Sequence, residues 1–357
     1  MRPQPDPLLC ILPPHMLKHL AEAPERSLRE AAWSTLVASE RFRGCREAIG
    51  TIAAFAATPT GGKRRTVYDA RHAQALPGRL VRAEGQPRVS DAAVNEAYDG
   101  AGATYDLYAV AFGRNSVDDR GMRLDSTVHY GRGYDNAFWE GRQMVYGDGD
   151  GLLFRRFTVA VDVIGHELTH GVTQYEAALD YEGEAGALNE SFSDVFGSLV
   201  KQRLRRQTAA RADWLIGQGL FTAEVQGVAL RSMKAPGTAY DDPRLGKDPQ
   251  PAHMRDYVDT PDDNGGVHIN SGIPNHAFYL VARTLGGAAW KRAGRIWYVT
   301  LRDRLRSTAT FRDAARATHQ VAAELYGQTS TEARAVRDAW KAVGVPLSRR
   351  RGTERVP

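Results

Sequence analysis

Two histidines stand four residues apart in His166-Glu167-Leu168-Thr169-His170. On an α-helix, positions i and i+4 share a face, so both imidazoles can hold one ion, and Glu167 is offset enough to reach a water beside it. That is the chemistry of metal-assisted hydrolysis with zinc. A catalytic zinc takes three protein ligands and keeps one position open. The third is expected from Gly186-Ala-Leu-Asn-Glu190-Ser-Phe-Ser-Asp194. Glu190 and Asp194 are four apart and face the same way. Glu190 is the expected ligand, and Asp194 the acceptor that fixes the tautomer of a ligand histidine. Leu188, Phe192, Val195 and Leu199 remain for packing, which argues for a buried helix rather than a solvated acidic face.

Helices must carry these residues. Phe157 to Tyr175 has no internal proline and an apolar face at Val159, Val163 and Ile164, while Gly165 permits close packing of a neighbour. Ala187–Leu204, His276–Leu285, Ala289–Leu305, Phe311–Tyr326 and Thr331–Val343 also read as helical. Residues 235–275, rich in Gly, Pro and Asp, read as a long ordered loop region of a kind that is often functional. From about 50 to 155, short alternating runs such as Arg64–Tyr68 and Ser126–Tyr130 read as β-rich with many turns. Ahead of residue 48 two helices are expected. One opens at Pro14, the other at a Ser27–Glu30 capping box with Leu28, Ala32 and Leu36 on one stripe.

The chain has 357 residues, 42% apolar and 25% charged, which suits two globular domains with some extra chain. No apolar run approaches the roughly 18 to 20 residues of a membrane-spanning helix. Two cysteines, Cys10 and Cys45, exclude a disulfide scaffold. The net charge of +5 comes from scattered basic runs, so a solvated surface is expected rather than a nucleic-acid partner. Leu8–Leu12 is too short for the apolar region of a secretory signal, which gives a cytoplasmic precursor as the expectation, with leaderless release to the exterior left open.

HELTH followed by GALNESFSDVFG resembles the thermolysin family of neutral zinc metallopeptidases. The likeness continues through Val128–Gly131, Asn136–Trp139, Gln143–Gly151, Asp263–Gly272, Glu324–Gly327 and Ala342–Gly344, and covers about 55–346. The resemblance implies an α+β fold of two domains: a β-rich N-terminal lobe, an α-helical C-terminal lobe and the zinc-site helix between them. It implies zinc on His166, His170 and Glu190, with Glu167 as general base. Tyr181 and His268 would donate to the oxyanion, and Asp263 would orient His268. Arg231 would hold the carbonyl beyond the scissile bond, while Asn136 and the Ala137 backbone pair with the substrate. Phe154, Phe157, Val163, Ile216, Leu220 and Leu230 fall where the family lines its main specificity pocket. The implied activity is cleavage of peptides or proteins on the amino side of bulky apolar residues, by a monomer.

The sequence also departs from thermolysin itself. The double-calcium site reads Asp162, Lys201, Asp213, Leu215 and Gln218 here, too few oxygens for calcium's six to eight ligands. Lys201 is expected to replace the ions and contact Asp162 or Asp213; calcium elsewhere stays open. About 50 residues precede the catalytic part, and Ile11–Leu17 among them, together with Ala235–Tyr240 and His253, is similar to the protealysin-like branch, whose precursors carry a short propeptide. That likeness implies an inhibitory propeptide at 1–50, catalytic lobes at 51–180 and 181–346, and a basic disordered tail at 347–357. Pro13, Pro14, His15, Met16 and Leu17 are expected in the cleft, proline making a poor substrate. Cys10 or His15 is a candidate zinc switch, and self-cleavage is expected near 46–55. The competing reading is an inactive or permanently inhibited relative that acts as a binding or regulatory protein.

Overall fold

The computed structural model describes residues 9–43 and 61–347. Its first body is a mixed six-stranded sheet. The strands are β1 (Leu9–Cys10), β2 (Arg65–Asp69), β3 (Arg79–Ala83), β4 (Leu124–Val128), β5 (Ala137–Trp139) and β6 (Met144–Tyr146). Their order is β1-β5-β6-β4-β2-β3, with β1 added antiparallel to β5. Two helices follow β1: α1 (Pro14–Ala21), with Pro14 in the first turn where its missing N–H costs nothing, and α2 (Arg26–Arg43). Leu28 and Ala32 of α2 are buried, as their stripe requires. The capping box is not the device that opens α2. The helix begins one residue before Ser27, and Glu30 instead accepts from Arg26 one turn back.

The β-rich region holds a helix that alternation does not reveal, α3 (Ala92–Leu107). Asp91 caps it by accepting from the Ala93 and Val94 amides. It packs on β2 and β4 and on the next helix, α4 (Val161–Tyr175). Close packing explains the glycine that hides it: a Cβ on Gly100 would come within 2.4 Å of Ile164 in α4.

The expected helix Phe157–Tyr175 is broken. A 3₁₀ turn, Phe157–Val159, gives way at extended Ala160 before α4 begins. The next helix, α5 (Gly183–Leu204), starts four residues before the sequence reading placed it. Short strands β7 (Leu215–Ile216) and β8 (Arg231–Ser232) pair antiparallel. The stretch read as loop to 275 already holds α6 (Asp263–Asn270) and the start of α7 (Gly272–Leu285), and α8 (Ala293–Asp303) and α9 (Phe311–Tyr326) follow. α10 (Thr331–Ala342) closes the described chain. Pro274 sits in the first turn of α7, so proline did not delay the helix to His276.

α4 and α5 cross closely, and two glycines make the crossing. A Cβ on Gly165 would lie 3.0 Å from the Gly197 Cα, and one on Gly197 only 2.4 Å from the Asp162 carbonyl oxygen. The backbones therefore touch where His166 follows Gly165. No helix among the described residues is long and apolar enough to cross a membrane.

Candidate active site

The crossing brings His166 and His170 of α4 against Glu190 of α5, all fully buried, with donor atoms within 4.8 Å of one another. The His166 Nδ1 faces the Asp194 carboxylate at 2.8 Å. The His170 Nδ1 faces the Asn189 Oδ1 at 2.9 Å and the Ser193 Oγ at 3.0 Å. A carboxylate only accepts, and so does an amide oxygen, so each histidine carries its proton on Nδ1 and turns a lone pair outward on Nε2. Those two Nε2 atoms are 3.0 Å apart, and each lies 3.4 Å from a Glu190 oxygen. Two lone pairs and a carboxylate converging in a dry interior repel unless a cation sits among them. The Glu190 Oε2 has no hydrogen-bond partner. The donor set of two imidazoles and one carboxylate suits a hydrolytic zinc.

Glu167 is buried on the same helix and accepts from the Trp139 amide of β5 at 3.1 Å through Oε2. Asp194 does more than hold His166. Arg231 donates to both of its oxygens at 2.8 Å, and Asn275 to Oδ2 at 2.8 Å. Burial alone would raise the Asp194 pKa; the Arg231 charge and the His166 bond outweigh it and hold the carboxylate well below its ordinary range. Arg231 is correspondingly pushed further up.

His268 is also buried, on the α6 side of the site. Its Nδ1 lies 2.7 Å from the Asp263 Oδ1, and the other Asp263 oxygen accepts the His268 amide. Asp263 reaches back in this way because its own φ is +55°, opening a left-handed run through Gly266. Burial would depress the His268 pKa, but the facing carboxylates of Asp263 and Glu190 win and raise it to about 9. The Tyr181 hydroxyl is 3.2 Å from the His268 Nε2 and donates to Glu190.

The site is covered by the N-terminal segment. The Ile11 amide donates to the Ala137 carbonyl at 3.2 Å, and the Leu12 amide to the Asn136 Oδ1 at 3.0 Å. Arg231 donates to the Ile11 carbonyl at 3.0 Å, and the His268 Nε2 to the Cys10 carbonyl at 2.9 Å. Phe154, Phe157, Val163, Ile216, Leu220 and Leu230 are all buried in one apolar cluster that also contains Ile11, Leu12, Met16 and Leu17.

The segment divides between two elements. Leu9–Leu12 lies along the sheet edge, while Pro13–Leu17, expected in the cleft, turns into α1 beside the same apolar cluster. A strand needs amide donors, which Pro13 and Pro14 lack; the prolines instead open α1, whose Met16 and Leu17 are buried. Neither switch candidate joins the triad. The Cys10 thiol points to the Leu12 carbonyl at 3.7 Å, and the His15 Nε2 to the Tyr240 hydroxyl at 3.0 Å. The expected cleavage span 46–55 and the tail from 348 lie outside the described residues.

At the calcium-like position, Lys201 sits 2.8 Å from both Asp162 and Asp213 and donates to the Leu215 carbonyl at 2.5 Å. Burial would lower its pKa, but the two carboxylates outweigh burial and raise it. The sequence reading missed Asn189, Ser193 and Asn275. Asn189 and Ser193 are four apart, each one residue ahead of Glu190 and Asp194, so the same helical spacing marks them. Asn275 reaches Asp194 across 81 residues, and no local signal marks it.

Two family descriptions match the chain: thermolysin metallopeptidase, catalytic domain, over 59–174, and thermolysin metallopeptidase, alpha-helical domain, over 177–345. An extracellular metalloprotease of Pectobacterium carotovorum subsp. carotovorum is 56% identical over 290 residues, 81% of this chain and 83% of that protein. A thermolysin of Alicyclobacillus acidocaldarius subsp. acidocaldarius is 44% identical over 296 residues, 80% of this chain and 52% of that one. Among solved structures, a precursor of protealysin, a metalloproteinase from Serratia proteamaculans, superposes with a TM-score of 0.87 at 52% identity. That match covers 94% of this chain and 99% of the other.

Proposed function

The chain belongs to the thermolysin family of metallopeptidases, and we propose that this metalloprotease acts as a zinc endopeptidase held latent by its own N-terminal segment. The observation that carries the zinc assignment is the pair of outward lone pairs on His166 and His170, 3.0 Å apart and faced by Glu190. His166, His170 and Glu190 hold the ion. Zinc in that position polarises the scissile carbonyl and makes water acidic enough to attack near neutral pH.

The protein supplies the rest. Glu167 takes a proton from the attacking water and delivers it to the leaving amine. His268 and Tyr181 donate to the developing oxyanion, each such donor being worth about 3 kcal/mol in comparable sites. Asp263 keeps the donor face of His268 turned inward, and Asp194 orients His166 and Arg231 together. Asn136 and Ala137 receive the substrate as an added strand, and Arg231 takes its next carbonyl. The apolar lining from Phe154 to Leu230 favours a bulky apolar residue on the amine side of the cut.

The N-terminal segment uses the groups a substrate would use, which supports latency. Its carbonyls occupy His268 and Arg231, and its amides occupy Ala137 and Asn136. In this reading 1–50 is the inhibitory prosegment, 51–180 and 181–346 are the two lobes, and 347–357 is a tail. Lys201 stands in for the calcium pair between Asp162 and Asp213. The direct test is casein hydrolysis by the trimmed chain. We expect it to stop with a zinc chelator and return with added zinc. Glu167→Ala should lower the rate by several orders of magnitude with zinc content unchanged; hydrolysis that survives this substitution overturns the mechanism.

A further inference from the structure

The N-terminal helix α1 places an ionisable side chain where a charge has no support. The partly buried His15 ring meets the Tyr240 hydroxyl through Nε2, while its Nδ1 is buried with no hydrogen-bond partner. One ring nitrogen bonded and one orphaned suits a neutral imidazole. A second proton would leave a buried N–H without an acceptor. The surrounding charges divide. His268 and Arg231 face the ring from the site, and His19 from the next turn of α1. Asp263, bonded to His268, is the strongest single charge felt by the ring and favours the proton, against burial and these three cationic or ionisable neighbours. His15 sits three residues beyond Leu12, so its side chain and the covering strand are released or retained together.

We propose that His15 makes the N-terminal cover acid-labile: protonation of this one side chain expels α1 and the Leu9–Leu12 strand and opens the site. The inference rests on the latency reading above and adds the trigger. Burial, more than any neighbouring charge, lowers the docked His15 pKa, from 6.5 to about 4. The sign follows directly. The released segment binds the proton more tightly than the docked one, so docking is at full strength above about pH 6.5 and weakens as pH falls toward 4. The gap corresponds to docking about 30-fold weaker at pH 5 than at pH 8, and about 300-fold weaker at the acid limit. The contact between Lys18 and Asp262 at 2.7 Å is solvent-exposed and contributes little against that change.

The test uses the full-length, zinc-loaded chain carrying Glu167→Gln so that it stays intact. Amide exchange of Ile11 and Leu12, corrected for the intrinsic pH dependence of exchange, reports docking at pH 5 and pH 8. Protection should fall about 30-fold between pH 8 and pH 5 with His15 present, and by less than threefold in His15→Gln. An equal fall in both chains, or none in either, overturns the proposal. A second readout needs no substitution at 15: the His15 ring, followed by NMR in the docked chain, should stay neutral down to about pH 4. A ring that titrates near 6.5 while docked also overturns it. Latency is tested separately, by peptide hydrolysis at pH 8 with the intact chain that retains Glu167. Activity equal to that of the trimmed chain would end the latency reading, whatever the exchange data say about pH.

Discussion

At the scale of single residues, the site works through shared acceptors. Asp194 binds one zinc-site histidine and the arginine aimed at the cover strand, so a change at Arg231 is felt at His166. His268 gives the sharpest prediction. Burial would lower its pKa, but the facing Asp263 carboxylate raises it, and the Nε2 proton it donates is lost on the alkaline side. The kcat/KM of the trimmed enzyme should therefore fall on the alkaline side of neutrality, above the ordinary histidine range. Asp263→Asn removes one supporting charge and should move this alkaline limb to lower pH, which a pH–rate profile would resolve. Lys201 gives another. Removing it by Lys201→Met leaves Asp162 buried without its cation, a loss on the order of 3–5 kcal/mol, visible as a lower midpoint in urea unfolding. An unchanged midpoint would show that the buried cluster contributes nothing. The ligand residues were legible because helix geometry turns a spacing of four into a shared face. Asn275 was not, because tertiary folding alone brings it to Asp194.

At the scale of elements, the crossing of α4 and α5 decides whether the ligands meet. Alanine in place of glycine inside a helix ordinarily adds about 1 kcal/mol of stability. At Gly197 the sign should reverse, because the new Cβ would meet the Asp162 carbonyl oxygen at 2.4 Å. Gly197→Ala should push the helices apart, lower the thermal midpoint and weaken zinc retention about tenfold or more, measured by competition with a chelator. Retained zinc affinity would mean that the crossing tolerates more separation than its geometry implies. The long C-terminal helices showed in their apolar spacing, and Phe311–Tyr326 matches at both ends. The helix α3 did not show, since Gly100 and Gly102 weaken its pattern. Packing on Ile164 is what requires the first of them, and packing is a property of the assembled fold.

At the scale of the molecule, the N-terminal segment is a third body that bridges the other two. Its strand extends the sheet of the β-rich lobe, while α1 reaches Tyr240 and Asp262 in the helical part. The presence of a cover was legible from the likeness of Ile11–Leu17 to the protealysin-like branch. The added strand at Leu9–Cys10 was not, because two residues of edge pairing leave no alternating pattern to read. Replacing Leu12 by proline would remove the amide that the Asn136 Oδ1 accepts. Leu12→Pro should thus loosen the cover and raise the hydrolytic rate of the intact chain at pH 8, measured on a quenched peptide. A rate that stays flat would show that the apolar anchors hold the segment without that bond.

Substrate pairing along β5, as proposed above, would also filter what this enzyme can cut. The edge takes two consecutive amides, one on the Ala137 carbonyl and one on the Asn136 Oδ1. A chain can present both only when its backbone is extended and its amides are not already bonded elsewhere. Helices and interior sheet strands fail that condition however suitable their side chains are. Under the proposed function, susceptibility would be set first by local unfolding of the target and only then by its sequence, favouring loops, termini and damaged proteins over intact domains.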